Sequence, residues 1–212
     1  MHMSDQWLHW AQRLQALAQS GLAFSPNAFD RERYEQIQAI AAEMLAAGSG
    51  GEVERIQGLL GAEEGYATPK IDVRGVVFHE ERLLLVREKL DGGRWTLPGG
   101  FADVGEAPAL ATEREIEEEA GYSARAVKLL AVYDRNKHGH PSYIFHIYKL
   151  FIRCELISEE QHLVANVETE ESGWFREAEL DGLELSVGRV TLKQLKHFFE
   201  HLRHPEWPTE FD

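Results

Sequence analysis

The stretch GGFADVGEAPALATEREIEEEAGY, Gly99 to Tyr122, places a glycine turn ahead of a helix crowded with carboxylates. Five glutamates fall between Glu113 and Glu119. On an α-helix Glu115, Glu118 and Glu119 stand at i, i+3 and i+4, so their side chains leave the same face. A charge run is usually a solvated face. Here the spacing argues otherwise, because like charges at these offsets repel and three clustered carboxylates suit a hard divalent cation. Glu117 is expected to face solvent. Pro108 fits the first helical turn, Ala109, Leu110, Ala111 and Ala120 favour helix, and Gly121 sits where a left-handed C-terminal residue belongs.

These positions resemble the Nudix box, G-x5-E-x7-R-E-U-x-E-E-x-G-U with U a bulky apolar residue. The match runs through Gly100, Glu106, Arg114, Glu115, Ile116, Glu118, Glu119, Gly121 and Tyr122. Tyr122 departs from the aliphatic residue usual there, and that change touches packing rather than chemistry. Such a match is far more specific than a lone glycine motif. The resemblance, which covers about Lys70 to His204, implies an α/β fold of the Nudix α/β/α sandwich type with a mixed β-sheet. It also implies hydrolysis of a nucleoside diphosphate linked to another moiety X, with Mg2+ or Mn2+. By position it assigns the metal to Glu115, Glu118 and Glu119 with a carbonyl of Gly99 or Gly100, and gives Glu106 and Arg114 a bracing ion pair. The general base is left among Glu118, Glu168 and Glu171.

Length and composition fit this class. The 212 residues are 43% hydrophobic, enough for one medium domain and a small appendage. No apolar run of about 18 residues and no signal-peptide pattern is present, so a cytoplasmic protein with no membrane contact is expected. A formal charge of -14 opposes stable nucleic-acid binding. Phosphate must therefore be met locally. The single cysteine, Cys154, lies in LFIRCEL and is expected as a buried strand residue.

Ahead of the box, residues 1–66 are expected to form a helical N-terminal domain and 67–212 the catalytic domain. The first helix is expected over Ser4–Ser20, capped by Ser4 and stopped by Gly21. Asp30 is expected to cap a second helix with Tyr34, Ile37, Ala41, Met44 and Leu45 on one face, and a third short helix covers Glu52–Leu60. So small a core needs support, which suggests a role in dimerisation or in walling the substrate site. This layout, with TPKIDVRGVVF and YDRNKHGHP, resembles the Nudix subgroup with an N-terminal helical domain, including CDP-choline and ADP-ribose pyrophosphatases. A homodimer acting on a small nucleoside diphosphate-X substrate is what that resemblance implies, with CDP-choline slightly ahead of ADP-ribose.

Strands are expected at Ile71–Phe78, Arg82–Arg87, Trp95–Leu97, Val127–Asp134, Ser142–Leu156 and Trp174–Phe175. Glu168, Glu170 and Glu171 are expected in a loop before the last of these. Ser186 is expected to cap a closing helix with Leu192, Leu195, Phe198, Phe199 and Leu202 inward. Arg74, Arg87, Arg135, Lys137 and His138 are the candidates for substrate contact. The pair His138 and His140 lacks a cysteine partner and is a poor zinc site. Two further readings compete: hydrolysis of nucleotides from RNA ends, which the net charge disfavours, and a non-catalytic nucleotide-metabolite sensor, which the intact glutamates disfavour.

Overall fold

The computed structural model describes residues 3–162 and 169–212. The chain divides into two compact units, one of residues 1–70 with Ser142–His146 and one of Ile71–Pro141 with Ile147–Asp212.

The first unit holds α1 (Met3–Phe24), α2 (Ala28–Ser49) and α3 (Val53–Gly61). Gly21 does not stop α1. A Cβ there would lie 2.4 Å from the Tyr34 ring, so this glycine lets the two helices approach, and α1 continues through it. Gly48 gives the same room to Trp7. The cap of α2 is Asn27, whose side chain accepts from Phe29 N–H at 2.9 Å, while Asp30 instead pairs with Arg33. Gly50 ends α2 with φ 69°, a conformation glycine adopts without strain. Leu8, Ala11, Ala42, Leu45, Ala46, Ile56 and Leu60 form the core, and Ile144 and Phe145 pack on it. Ser142–His146 is thus no part of the expected long strand. Gln12 donates to the Tyr143 carbonyl and Lys70 N–H to that of His146, which commits the segment to the helical unit.

The second unit contains β1 (Lys70–His79, from its second residue), β2 (Arg82–Glu88), β3 (Arg94–Thr96), α4 (Pro108–Ala120), β4 (Ala124–Asp134), β5 (Ile147–Leu156), β6 (Thr169–Phe175), α5 (Leu192–Arg203) and β7 (Glu210–Phe211). The sheet runs β3-β2-β1-β5-β4-β7, with β6 also paired to β2. It is mixed: β4 pairs antiparallel with β5 and parallel with β7. Strand periodicity sorts the side chains to two faces. Val76, Leu83 and Leu85 pack with Leu195, Phe198 and Phe199 of α5, whereas Val77, Leu84 and Val86 pack with Ile116 and Ala120 of α4. Two helical layers therefore enclose the sheet.

Three local expectations change. Glu170 and Glu171 lie within β6 rather than in a loop, because that segment pairs with β2 from Glu88 to Leu83. Thr191, not Ser186, caps α5 through a reciprocal bond with Gln194, and Ser186 Oγ donates to Asp91 at 2.6 Å. The strand at Glu210–Phe211 was not expected, since two residues carry no readable alternation. Cys154 is buried in β5 as expected. Among the described residues no helix is long and apolar enough to cross a membrane.

Phe198 is fully buried between α5 and the sheet and lies 4.9 Å, ring to ring, from Phe151. Phe198→Ala is expected to lower stability by about 3–5 kcal/mol, read as a fall in the urea midpoint at unchanged m-value.

Candidate active site

Residues 98–102 run antiparallel beside β1. Gly75 N–H donates to the Pro98 carbonyl, Val73 N–H to that of Gly100, and Ala102 N–H to that of Ile71. Gly99 has φ 139°, and a Cβ there would stand 2.0 Å from the Val73 carbonyl oxygen, so only glycine fits. Gly75 plays a matching part under the helix, where a Cβ would meet Ile116 at 2.7 Å. These two glycines seat α4 and the turn closely on the sheet.

The helix then delivers its carboxylates onto that turn. Pro108 occupies its first turn and Gly121, φ 73°, closes it. Glu119 is 6% exposed and accepts the Gly99 N–H at 2.8 Å. Glu115 is 8% exposed, and a side chain on Gly100 would come within 3.2 Å of its Oε1. The Glu118 side chain, by contrast, is 57% exposed. Two sheltered carboxylates thus border the same stretch of backbone, and the accessible one stands on the same helix. The Gly100 carbonyl already accepts from Val73, which makes Gly99 the better carbonyl candidate for a cation.

Burial pushes the Glu119 carboxyl up to about 8, reinforced by Glu115 and Glu88 and opposed by Arg74 and the Gly99 N–H. Burial also raises Glu115, against the pull of Arg114 and Arg74. Carboxyls held above their ordinary range in this way are poised to exchange a proton for a cation. The donor set, all hard oxygen, fits Mg2+ or Mn2+.

The three carboxylates are not uncompensated, as the bare spacing suggested. Arg114 reaches Glu106 through Nε and Nη2 at 3.0–3.3 Å, and its Nη1 lies 3.1 Å from Glu115 and 2.9 Å from Glu118. One guanidinium thereby fixes both the loop brace and two members of the face. A spacing argument confined to i+3 and i+4 from Glu115 passes over its immediate neighbour.

A second cation group lies beneath. Arg74 makes a two-pronged contact with Asp72 at 2.9 Å and donates to the Leu97 carbonyl, while Lys149 Nζ meets Asp72 at 2.7 Å. All three side chains are buried. Burial disfavours the charge on Asp72, yet Arg74 and Lys149 hold its carboxyl well below the usual range. Burial draws Lys149 down to about 8, against Asp72. Arg74 is therefore corrected from a substrate contact to a buried counter-charge, spent on Asp72 and on the fields of Glu115 and Glu119. Arg135 is corrected likewise: it is buried and donates to the carbonyls of Pro141 and Gly188, which ties down its loop.

The other expected contacts remain nearer the surface. Arg87 is half-buried, donates to the Gly93 carbonyl and lies 3.3 Å from Glu171. Lys137 is exposed. His138 stacks on Tyr133 and meets Asp212 at 3.1 Å. His140 donates to the Val187 carbonyl, and burial lowers it to about 4, so it is neutral. Glu168 lies outside the described residues. Tyr122 packs edge-on against Trp174, whose Nε1–H donates to its hydroxyl at 3.0 Å, which gives the unusual aromatic its packing role.

Residues 68–197 match the model of the NUDIX domain. The chain belongs to the Nudix hydrolase family. Residues 5–60 match a second model, the UDP-X-like N-terminal oligomerisation domain. A Bacillus subtilis relative named "Putative ADP-ribose pyrophosphatase YjhB" is 46% identical over 210 residues, 99% of each chain. Among solved structures, a UDP-X diphosphatase is 32% identical over 99% of both chains with TM-score 0.61. A Streptococcus suis ADP-ribose pyrophosphatase is 36% identical over 68% of this Nudix chain and 100% of its own, also at TM-score 0.61. The α/β/α architecture and the helical segment ahead of it are those of this family.

The buried triad gives a prediction. Asp72→Asn leaves Arg74 and Lys149 without their shared counter-ion and is expected to cost about 3–5 kcal/mol. Lys149→Met, which keeps the Asp72–Arg74 pair, is expected to cost clearly less. Chemical denaturation of the two variants checks the order.

Proposed function

We propose that this Nudix hydrolase cleaves the pyrophosphate bond of a nucleoside diphosphate linked to a sugar-like moiety, of the ADP-ribose or UDP-X type, giving a nucleoside monophosphate and a phosphorylated X. The observation that carries the reading is the placement of Glu119 and Glu115 against the Gly99–Gly100 backbone, with Gly99 N–H holding Glu119 and Arg114 joining Glu115 to Glu118. The names of the similar proteins, which print ADP-ribose and UDP-X, support ADP-ribose or a UDP-X compound over CDP-choline.

In this reading Glu115 and Glu119 hold the cation from their sheltered positions and Glu118 completes the set, with the Gly99 carbonyl as a further ligand. Bound Mg2+ or Mn2+ supplies charge to neutralise the diphosphate and acidify water. Arg114 keeps Glu115 and Glu118 in register with the brace at Glu106. The proton of the attacking water goes to a glutamate, with Glu118, Glu168 and Glu171 as candidates. Arg87, Lys137 and His138 are the side chains offered to the substrate's phosphates and X group. Burying the diphosphate's charge against a chain of net charge -14 requires such local cations. Assembly as a homodimer through the N-terminal unit, and a cytoplasmic setting, belong to the same reading.

A panel of ADP-ribose, UDP-sugars, CDP-choline and a short RNA, assayed with Mg2+ and with Mn2+ and with products identified by mass, tests the assignment. Release of nucleoside monophosphate from an ADP- or UDP-linked sugar is expected. Preference for CDP-choline or RNA ends would replace the substrate, and tight binding without turnover would leave a sensor. Glu118→Gln is expected to fold normally, because this side chain is exposed, and to lose activity by at least about a hundredfold.

Glu119 adds a pH dependence. Its carboxyl is protonated below about 8 in the metal-free protein, and a cation must displace that proton. Apparent Mg2+ affinity is therefore expected to rise by up to about tenfold per pH unit below that value and level off above it. Mg2+ titrations at several pH values provide the measurement, and a flat profile would remove Glu119 from the ligand set.

A further inference from the structure

On the sheet face opposite α4, α5 carries His197 and His201 at i and i+4, so both rings project from one side of the helix. Glu210 of β7 meets them. Its Oε1 lies 2.7 Å from His197 Nε2 and 3.3 Å from His201 Nε2, and one ligand atom from each of the three residues falls within a 4.8 Å group. The other carboxylate oxygen accepts from the Tyr133 hydroxyl at 2.7 Å. Trp207 packs against both imidazoles.

A plain hydrogen-bonded network accounts for His197 and Tyr133 but leaves His201 unexplained. His201 is 2% exposed, and neither ring nitrogen makes a hydrogen bond. The 3.3 Å approach of its Nε2 to Glu210 is close without being well directed. Leaving a buried polar atom unsatisfied costs about 1–3 kcal/mol. Burial also holds His201 below the ordinary imidazole range. Neutral imidazoles and a carboxylate converging on one point are the donors that a borderline cation selects.

We propose that His197, His201 and Glu210 form a second metal site, separate from the box glutamates, that takes a zinc-type transition-metal ion. Three protein ligands leave one position of a tetrahedral ion for water. Bonds of about 2 Å place tetrahedral ligand atoms about 3.3 Å apart, so the present cluster closes with small side-chain shifts. Tyr133 supports the carboxylate from outside the ligand set, as such partners do in metal sites. The ion fastens the C-terminal strand to α5. That strand also pairs in parallel with β4, and its ends are tied by Thr209 Oγ1 donating to the Leu129 carbonyl and by Asp212, which accepts from Asp134 N–H. Because Asp212 also meets His138, the ion secures the segment that braces the Asp134–His138 turn.

The test uses the full chain, stripped of metal and then kept in excess Mg2+ to satisfy the box glutamates. Titration with Co2+ is expected to give one ion per chain with the strong visible absorption of tetrahedral nitrogen and oxygen ligation, and Zn2+ is expected to displace it and raise Tm. His197→Asn and Glu210→Gln are expected to abolish the band and the Tm rise, with folding checked by circular dichroism. Glu118→Gln is expected to keep both. Tyr133→Phe is expected to weaken the ion by about tenfold or more. Absence of the band in the parent protein, or an equal band in folded His197→Asn, overturns the site.

Discussion

Arg74 sits at the electrostatic centre of the catalytic unit, closed off from water and shared between Asp72 on its own strand and the fields of Glu115 and Glu119 above. Helix α4 packs its apolar side on the sheet through Ile116 and Ala120, and this same packing drives Glu115 and Glu119 into a place where negative charge is costly. The positive charges of Arg74 and Arg114 make such a placement tolerable. Without them the helix would have to rotate its acids toward solvent, and the face would lose its hold on the Gly99–Gly100 turn. Fold and chemistry meet in this compromise, since the charge the sheet cannot hide is the charge that receives a cation.

The division of labour among the three box carboxylates follows from the same geometry. Glu119 is tied to backbone and Glu115 is sheltered beside Gly100, whereas Glu118 is accessible and meets Arg114 one turn before it. Rigid acids suit a fixed ligand role. An accessible one suits either ligation or proton transfer, which is why Glu118 enters both lists of candidates.

How much of this was readable beforehand depends on separation along the chain. The box could be read because its residues lie within one turn and one helix, where spacing alone determines the face. Asp72 and Lys149 escaped notice because they are 77 residues apart and meet only once β1 and β5 are placed. Arg74 and Arg135 were misjudged for a related reason: an arginine in sequence looks like an exposed cation, and only the fold reveals that its guanidinium is spent on buried partners. Glycines misled in the other direction. Gly21 looked like a stop and is a close contact for Tyr34. Ser142–His146 alternates like a strand, yet its backbone is claimed by Gln12 and Lys70.

Gly75 and Gly99 carry no functional groups, yet the reach of the glutamates depends on them. One sets how near the helix lies to the sheet and the other how near the turn lies to its strand. Distances on the order of a methyl group are thus fixed by atoms that are missing. Such positions are invisible to any inventory of reactive side chains, and a redesign that preserved every acid while filling either gap would keep the ingredients of the site and lose its dimensions.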